Sequence, residues 1–214
     1  RAGDKLTTGA ANTAIGASAL GTSTTADNNT AIGYAALDAN TTGHSNTGIG
    51  KSALAANTTG SNHTAVGLGA LDANTTSAAN SAFGRDSLGA NTTGDDNVAL
   101  GYAALFSNTT ADNNTGVGYK ALYANTTGAG NTALGMRALT ANTTASNNIS
   151  IGKDSMYANT TGASNVAVGL SALQNNTTAS NNTAVGYTAL FANTTGAGNA
   201  AVGTLALDAN TTGN

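Results

Sequence analysis

The chain has 214 residues, with 28 Gly, no Pro, Cys or Trp, charged side chains at only 8% of positions, and a formal net charge of −3. Without Cys there is no disulfide framework and no thiol chemistry, which is neutral about compartment. A sparsely charged, net-negative chain does not suit a general polyanion binder, and no run of about 18 apolar residues predicts a transmembrane helix.

In chain order, residues 1–11 come first, and only Thr7, Thr8 and Gly9 keep the register of the residues after them. With Arg1, Asp4 and Lys5 they form the most charged end, and read as a degraded partial repeat or a polar cap. Residues 12–214 are an array of twelve 17-residue repeats without insertion or deletion. The first position is Asn in every unit except one, where His63 stands. A fixed short period predicts a solenoid whose units bury their apolar sides on one another. The chain starts without Met and stops inside the pattern, as a processed chain or a window of a longer array would.

Each unit opens on a strand signal. The second position is usually Thr, the third is Ala, Gly or Ser, and the fourth is always large and apolar, as in Thr30-Ala31-Ile32 and Val166-Ala167-Val168. β-branched residues two apart around a small one predict a short half-buried strand, and the Ile/Val is expected to be buried with the Leu further along the unit. The fifth position is Gly in all twelve units, which predicts a backbone turn that a side chain would obstruct. In the next stretch, such as Tyr34–Asn40, the eighth, ninth and twelfth positions recur while the sixth, seventh and tenth vary. That spacing favours one face of a short helix over a second extended segment. Asn-Thr-Thr-Gly and a few small polar residues then turn back to the next strand. The expected fold is therefore a mainly β repeat solenoid, β-roll or β-helix-like, with one short parallel strand and a short helical or second extended segment per coil.

Asn97-Val-Ala-Leu-Gly101, Asn148-Ile-Ser-Ile-Gly152 and Asn165-Val-Ala-Val-Gly169 resemble the core of head repeats in trimeric autotransporter adhesins, and the whole unit is similar to arrays in bacterial and phage fibre-type proteins. The resemblance covers Asn12–Asn214 and implies an elongated extracellular or cell- or virion-surface fibre segment. Its implied partner is itself, end to end or laterally, with a trimer among the allowed arrangements.

Two patterns bear on function. Asn40, Asn57, Asn74, Asn91, Asn108, Asn125, Asn142, Asn159, Asn176, Asn193 and Asn210 each open an Asn-Thr-Thr sequon. They are candidates for N-glycosylation if they face out, or for a buried Asn ladder if they face in. Tyr102 with Phe106, Tyr119 with Tyr123, and Tyr187 with Phe191 lie four apart on the variable face, joined by Tyr34 and Tyr157. This stripe suits packing against another chain or stacking on sugar rings. The paired Thr of each sequon also raise ice binding as a third reading, after a structural filament or fibre shaft and a glycan-recognising adhesin or tail-fibre module.

Catalysis has no foothold in the sequence. The ten Asp and two His are spread over turns and variable positions, with no metal-ligand spacing and no carboxylates converging on a cleft. Lys51, Arg85, Lys120, Arg137 and Lys153 are too sparse for a nucleic-acid stripe. The expectation is a non-enzymatic protein with no cofactor, no nucleic-acid partner and no membrane insertion, carrying covalent or bound glycans at most.

Overall fold

The computed structural model describes all residues, Arg1–Asn214. The chain is a parallel β-solenoid of 17-residue coils, and it forms two compact units, Arg1–Thr110 and Ala111–Asn214. No helix is long and apolar enough to cross a membrane.

The first unit contains β1 (Thr13–Ile15), β2 (Thr30–Ile32), β3 (Thr47–Ile49), β4 (Thr64–Val66), β5 (Ser81–Phe83) and β6 (Val98–Leu100). Each pairs in parallel with the next at an offset of one repeat, so Thr30, Ala31 and Ile32 face Thr47, Gly48 and Ile49. Residues before β1 form no strand, yet they hydrogen-bond to the first coil, through Gly3 N–H to Ala19 O (2.9 Å) and Thr7 N–H to Thr24 O (3.0 Å).

The second unit repeats the plan with β7 (Thr115–Val117), β8 (Thr132–Leu134), β9 (Ile149–Ile151), β10 (Val166–Val168), β11 (Thr183–Val185) and β12 (Ala200–Val202). Its strands pair in the same parallel register.

The strand faces correct one expectation. The small third residue points inward, and Ala31, Ala65, Ala99, Ala133, Ala167 and Ala184 have no solvent exposure. The second and fourth residues therefore point out, and Ile15, Leu100, Leu134 and Val202 remain 46–74% exposed. Alternation along a strand permits only one of these sets inside. A coil this narrow has room on its strand for a methyl group, not a branched side chain. The Leu of the ninth position does fill the core: Leu20, Leu37, Leu54, Leu122 and Leu139 are fully buried, with Met156 in the same register.

The second correction concerns the expected helix, which does not form. The seventh and ninth residues of each coil are left-handed, as in Ala35 (φ 55°) and Leu37 (φ 52°) or Lys120 (φ 53°) and Leu122 (φ 52°). A right-handed helix cannot pass through alternating left-handed residues. The alternation instead aims successive N–H groups along the stack: Ala35 N–H reaches back to Ala17 O (2.9 Å), whereas Leu37 N–H reaches forward to Ala53 O (3.0 Å). A left-handed non-Gly residue costs about 1–2 kcal/mol. Burying a Leu returns about 1.5–3 kcal/mol, and the inter-coil hydrogen bonds add to that.

The fifth-position Gly is required twice over. At Gly33 φ is +135°, a region side chains avoid, and a Cβ would lie 2.5 Å from the carbonyl oxygen of Gly50 in the next coil.

Candidate functional site

Three surfaces and two buried columns recur along each unit. The first column holds the sequon Asn residues, and corrects their reading as glycan acceptors. Asn40, Asn57, Asn74, Asn91, Asn108, Asn125, Asn142, Asn159, Asn176 and Asn193 are fully buried, and only Asn210 is partly exposed. Their amide groups are occupied. Asn142 Nδ2 donates to Asn125 Oδ1 (2.8 Å) and to Ala145 O (2.9 Å), while its Oδ1 accepts from Asn159 Nδ2 (3.1 Å). In the first unit Asn57 Nδ2 likewise donates to Asn40 Oδ1 (3.0 Å) and Gly60 O (3.0 Å). Asn210 Nδ2 donates to Asn193 Oδ1 (3.3 Å) and Gly213 O (3.1 Å). The nitrogen that a sugar would occupy already bridges two coils, so the inward ladder accounts for the recurrence.

A second buried column is formed by the first-position Asn. Asn46 Nδ2 donates to Gly60 O (2.9 Å), and Asn29 Oδ1 accepts the backbone N–H of Asn46 (2.9 Å). His63 reproduces both bonds with an imidazole: Nε2–H donates to Ser77 O (2.8 Å) and Nδ1 accepts the N–H of Asn80 (3.1 Å). A backbone N–H can only donate, so Nδ1 carries no proton and the ring is the neutral Nε2–H tautomer. Burial lowers the His63 pKa; the bonds to Ser77 and Asn80 and the charge of Asp95 oppose that shift without cancelling it. The sequence exception thus obeys the structural rule.

The sequon Thr pair splits its roles. The first hydroxyl donates to the next coil's backbone, as Thr41 Oγ1 does to Thr58 O (2.9 Å) and Thr160 Oγ1 to Thr177 O (3.0 Å). The second Thr, such as Thr59, Thr127 and Thr161, is exposed. The paired-hydroxyl array that ice binding would use is therefore half consumed by the fold.

The aromatic residues do share one corner. Tyr34, Tyr102, Tyr119 and Tyr187 stand at the sixth position of their coils, and Phe106, Tyr123, Tyr157 and Phe191 at the tenth. Tyr34, Tyr102, Tyr119, Tyr157 and Tyr187 are exposed; Phe106, Tyr123 and Phe191 are half-buried. Lys51, Arg85, Lys120, Arg137 and Lys153, all the cations of the repeats, sit at the sixth and seventh positions of the same corner. In the first unit Arg85 lies 5.8 Å from the Tyr102 ring centre. In the second, Lys120 lies 5.6 Å from Tyr119 and 5.0 Å from Tyr123, and Arg137 lies 5.3 Å from Tyr157. Arg137 also forks onto Asp154 through Nε (2.7 Å) and Nη2 (2.9 Å), which raises its pKa further. At the Tyr187–Phe191 pair an open groove of about 190 Å³ is lined by Tyr187, Thr188, Phe191, Leu205 and Asp208.

The remaining surface is the outer strand face, which hydrophobicity alone misplaced. Its second and fourth positions carry no charged residue in any coil. The invariably small third position was the signal that this large residue faces out.

No protein-family model, curated protein or solved structure matches the chain.

Proposed function

We propose that this chain is a structural segment of an extracellular, cell-surface or virion-surface fibre, built by lateral or end-to-end association of copies, and that it catalyses no reaction. The observation that carries the reading is the outer strand face. Within each unit every coil adds one large apolar residue and one hydroxyl or aliphatic residue to a surface without charge, and Ile15, Phe83 and Val98 in the first unit or Leu134, Ile149 and Val202 in the second are all at least 40% exposed. A repeated, charge-free apolar face is an association surface rather than a solvated one. Copies of the chain suit it because each presents the same spacing of ridges, so that side chains interdigitate coil for coil. The resemblance to adhesin head repeats and fibre-type arrays points the same way.

Sedimentation velocity on the purified chain, paired with negative-stain imaging of native material, tests this. The chain should sediment as an oligomer, and Leu134→Asp should shift it toward the monomer while the far-ultraviolet circular dichroism stays unchanged. A chain that stays monomeric across its soluble concentration range would overturn the proposal, as would an oligomer indifferent to Leu134→Asp.

A further inference from the structure

We propose that the groove between Tyr187, Phe191 and Asp208 binds a neutral pyranose ring. The proposal does not depend on the fibre reading, because the groove lies on the corner and not on the strand face. Tyr187, Thr188 and Phe191 are the sixth, seventh and tenth residues of one coil; Leu205 and Asp208 are the seventh and tenth of the next. Backbone hydrogen bonds fix their spacing: Leu205 N–H to Tyr187 O (2.9 Å), Ala192 N–H to Asp208 O (3.0 Å) and Phe191 N–H to Thr188 O (3.3 Å). The site is therefore formed in advance by the repeat, at little ordering cost on binding.

Its chemistry converges on a polyol with one apolar face. Two aromatic rings and Leu205 supply the surface on which the C–H face of a sugar stacks. The Asp208 carboxylate accepts hydrogen bonds from two adjacent ligand hydroxyls. Thr188 Oγ1 is buried and has no hydrogen-bond partner. A desolvated hydroxyl left unpaired is costly, and a turn of the Thr188 side chain toward the groove would let a ligand hydroxyl pair it. The volume of about 190 Å³ suits one ring rather than a folded oligosaccharide.

The other two aromatic pairs show why this one is free. Arg85 covers Tyr102 and Lys120 covers Tyr119 and Tyr123, so the protein's own cations occupy those ring faces. Around Tyr187 and Phe191 the residues equivalent to Arg85 and Lys120 are Leu170 and Thr188, neither of them charged. With Asp208 as the only charge, the groove disfavours a uronate.

The test is ligand-observed nuclear magnetic resonance on the full chain with methyl pyranosides of glucose, galactose, mannose and N-acetylglucosamine, the matching methyl uronides, and tetramethylammonium. At least one neutral pyranoside should bind in preference to its uronide. Tyr187→Ala and Asp208→Asn should each weaken it about tenfold, the scale of one stacked ring or one charge-assisted bond. Thr188→Val, which keeps the branched shape, should weaken it by a smaller factor. Circular dichroism confirms that each variant keeps the coil, and Tyr187 is exposed enough for its truncation to be tolerated. Binding by no neutral pyranoside, binding undiminished in both Tyr187→Ala and Asp208→Asn, or preference for tetramethylammonium would each overturn the assignment.

Discussion

Replacing Asn142 by Asp changes one atom and tests whether the buried Asn column holds the coils together. The wild-type amide donates twice, to Asn125 Oδ1 and Ala145 O, and accepts once, from Asn159 Nδ2. A carboxylate keeps the acceptance and turns both donations into oxygen facing oxygen in a fully buried site. Two lost hydrogen bonds account for about 1–3 kcal/mol, and an uncompensated buried charge brings the cost at neutral pH to about 3–5 kcal/mol. The site favours the protonated acid, so the folded pKa of the new group lies above its unfolded value of about 3.9. The folded variant then holds more protons than the unfolded one, and its stability falls as pH rises from about 4. Asn142→Ala removes the same bonds without a charge, so it should lose about 2–4 kcal/mol with no added pH dependence. Solenoids unfold by local steps, so a global melt blurs the effect. Hydrogen exchange read by mass spectrometry on peptides spanning residues 122–162 resolves it. Protection in Asn142→Asp that matches wild type between pH 4 and pH 8 would show that the column contributes nothing.

Three further outcomes rest on the same geometry. His63 titrates the opposite way: its folded pKa lies below the ordinary value of about 6.5, so the stability it lends is complete above that pH and drains away below it. Acid-induced exchange should appear first in the coils around His63 and vanish in His63→Asn, because Asn makes the same pair of bonds elsewhere; equal acid sensitivity in both proteins would count against this. Gly33→Ala combines a forbidden backbone angle with a Cβ driven against Gly50 O, and should cost at least about 2 kcal/mol in urea unfolding of the first unit, whereas a neutral result would mean the coil spacing can relax. Leu139→Ala should cost about 2–5 kcal/mol, but Ile149→Thr on the outer face should leave coil protection unchanged; comparable losses from both would place Ile149 inside after all.

The period, the coil boundaries and the inward Leu were legible because they derive from recurrence alone. The turn at Gly33 was legible too, since an invariant Gly beside a strand has few other uses. The helix was misread because recurrence at the eighth, ninth and twelfth positions marks burial, and burial on one side is common to a helix and to a coil bent by left-handed residues. Nothing in Leu37 or Leu122 advertises a positive φ; it is imposed by the coils on either side. Ile32 and its equivalents were misplaced for a different reason. Hydrophobicity argued for burial, whereas the volume limit set by Ala31 and Gly48 decided which alternate residues fit inside. The sequons were undecidable from sequence, because an Asn kept as a glycan acceptor and an Asn kept as a rung repeat identically. The groove at Tyr187 was visible only as an aromatic pair, since Thr188 and Asp208 join it through adjacency between coils.

The two Asn columns also give each unit a sense of direction. Along the twelfth position the Nδ2 groups donate to the coil before them, from Asn57 to Asn40 in the first unit and from Asn193 to Asn176 in the second. Along the first position every backbone N–H does likewise, as Asn46 does to Asn29 and Asn182 to Asn165. The side-chain amide dipoles of the twelfth-position column therefore add head to tail within a unit and polarise one another. A coil with nothing stacked on its later face offers bare Oδ1 acceptors, and one with nothing on its earlier face offers bare donors. Two such stacks splice in the same orientation, like segments of a ratchet, whereas a reversed splice would set acceptor against acceptor along the twelfth-position column.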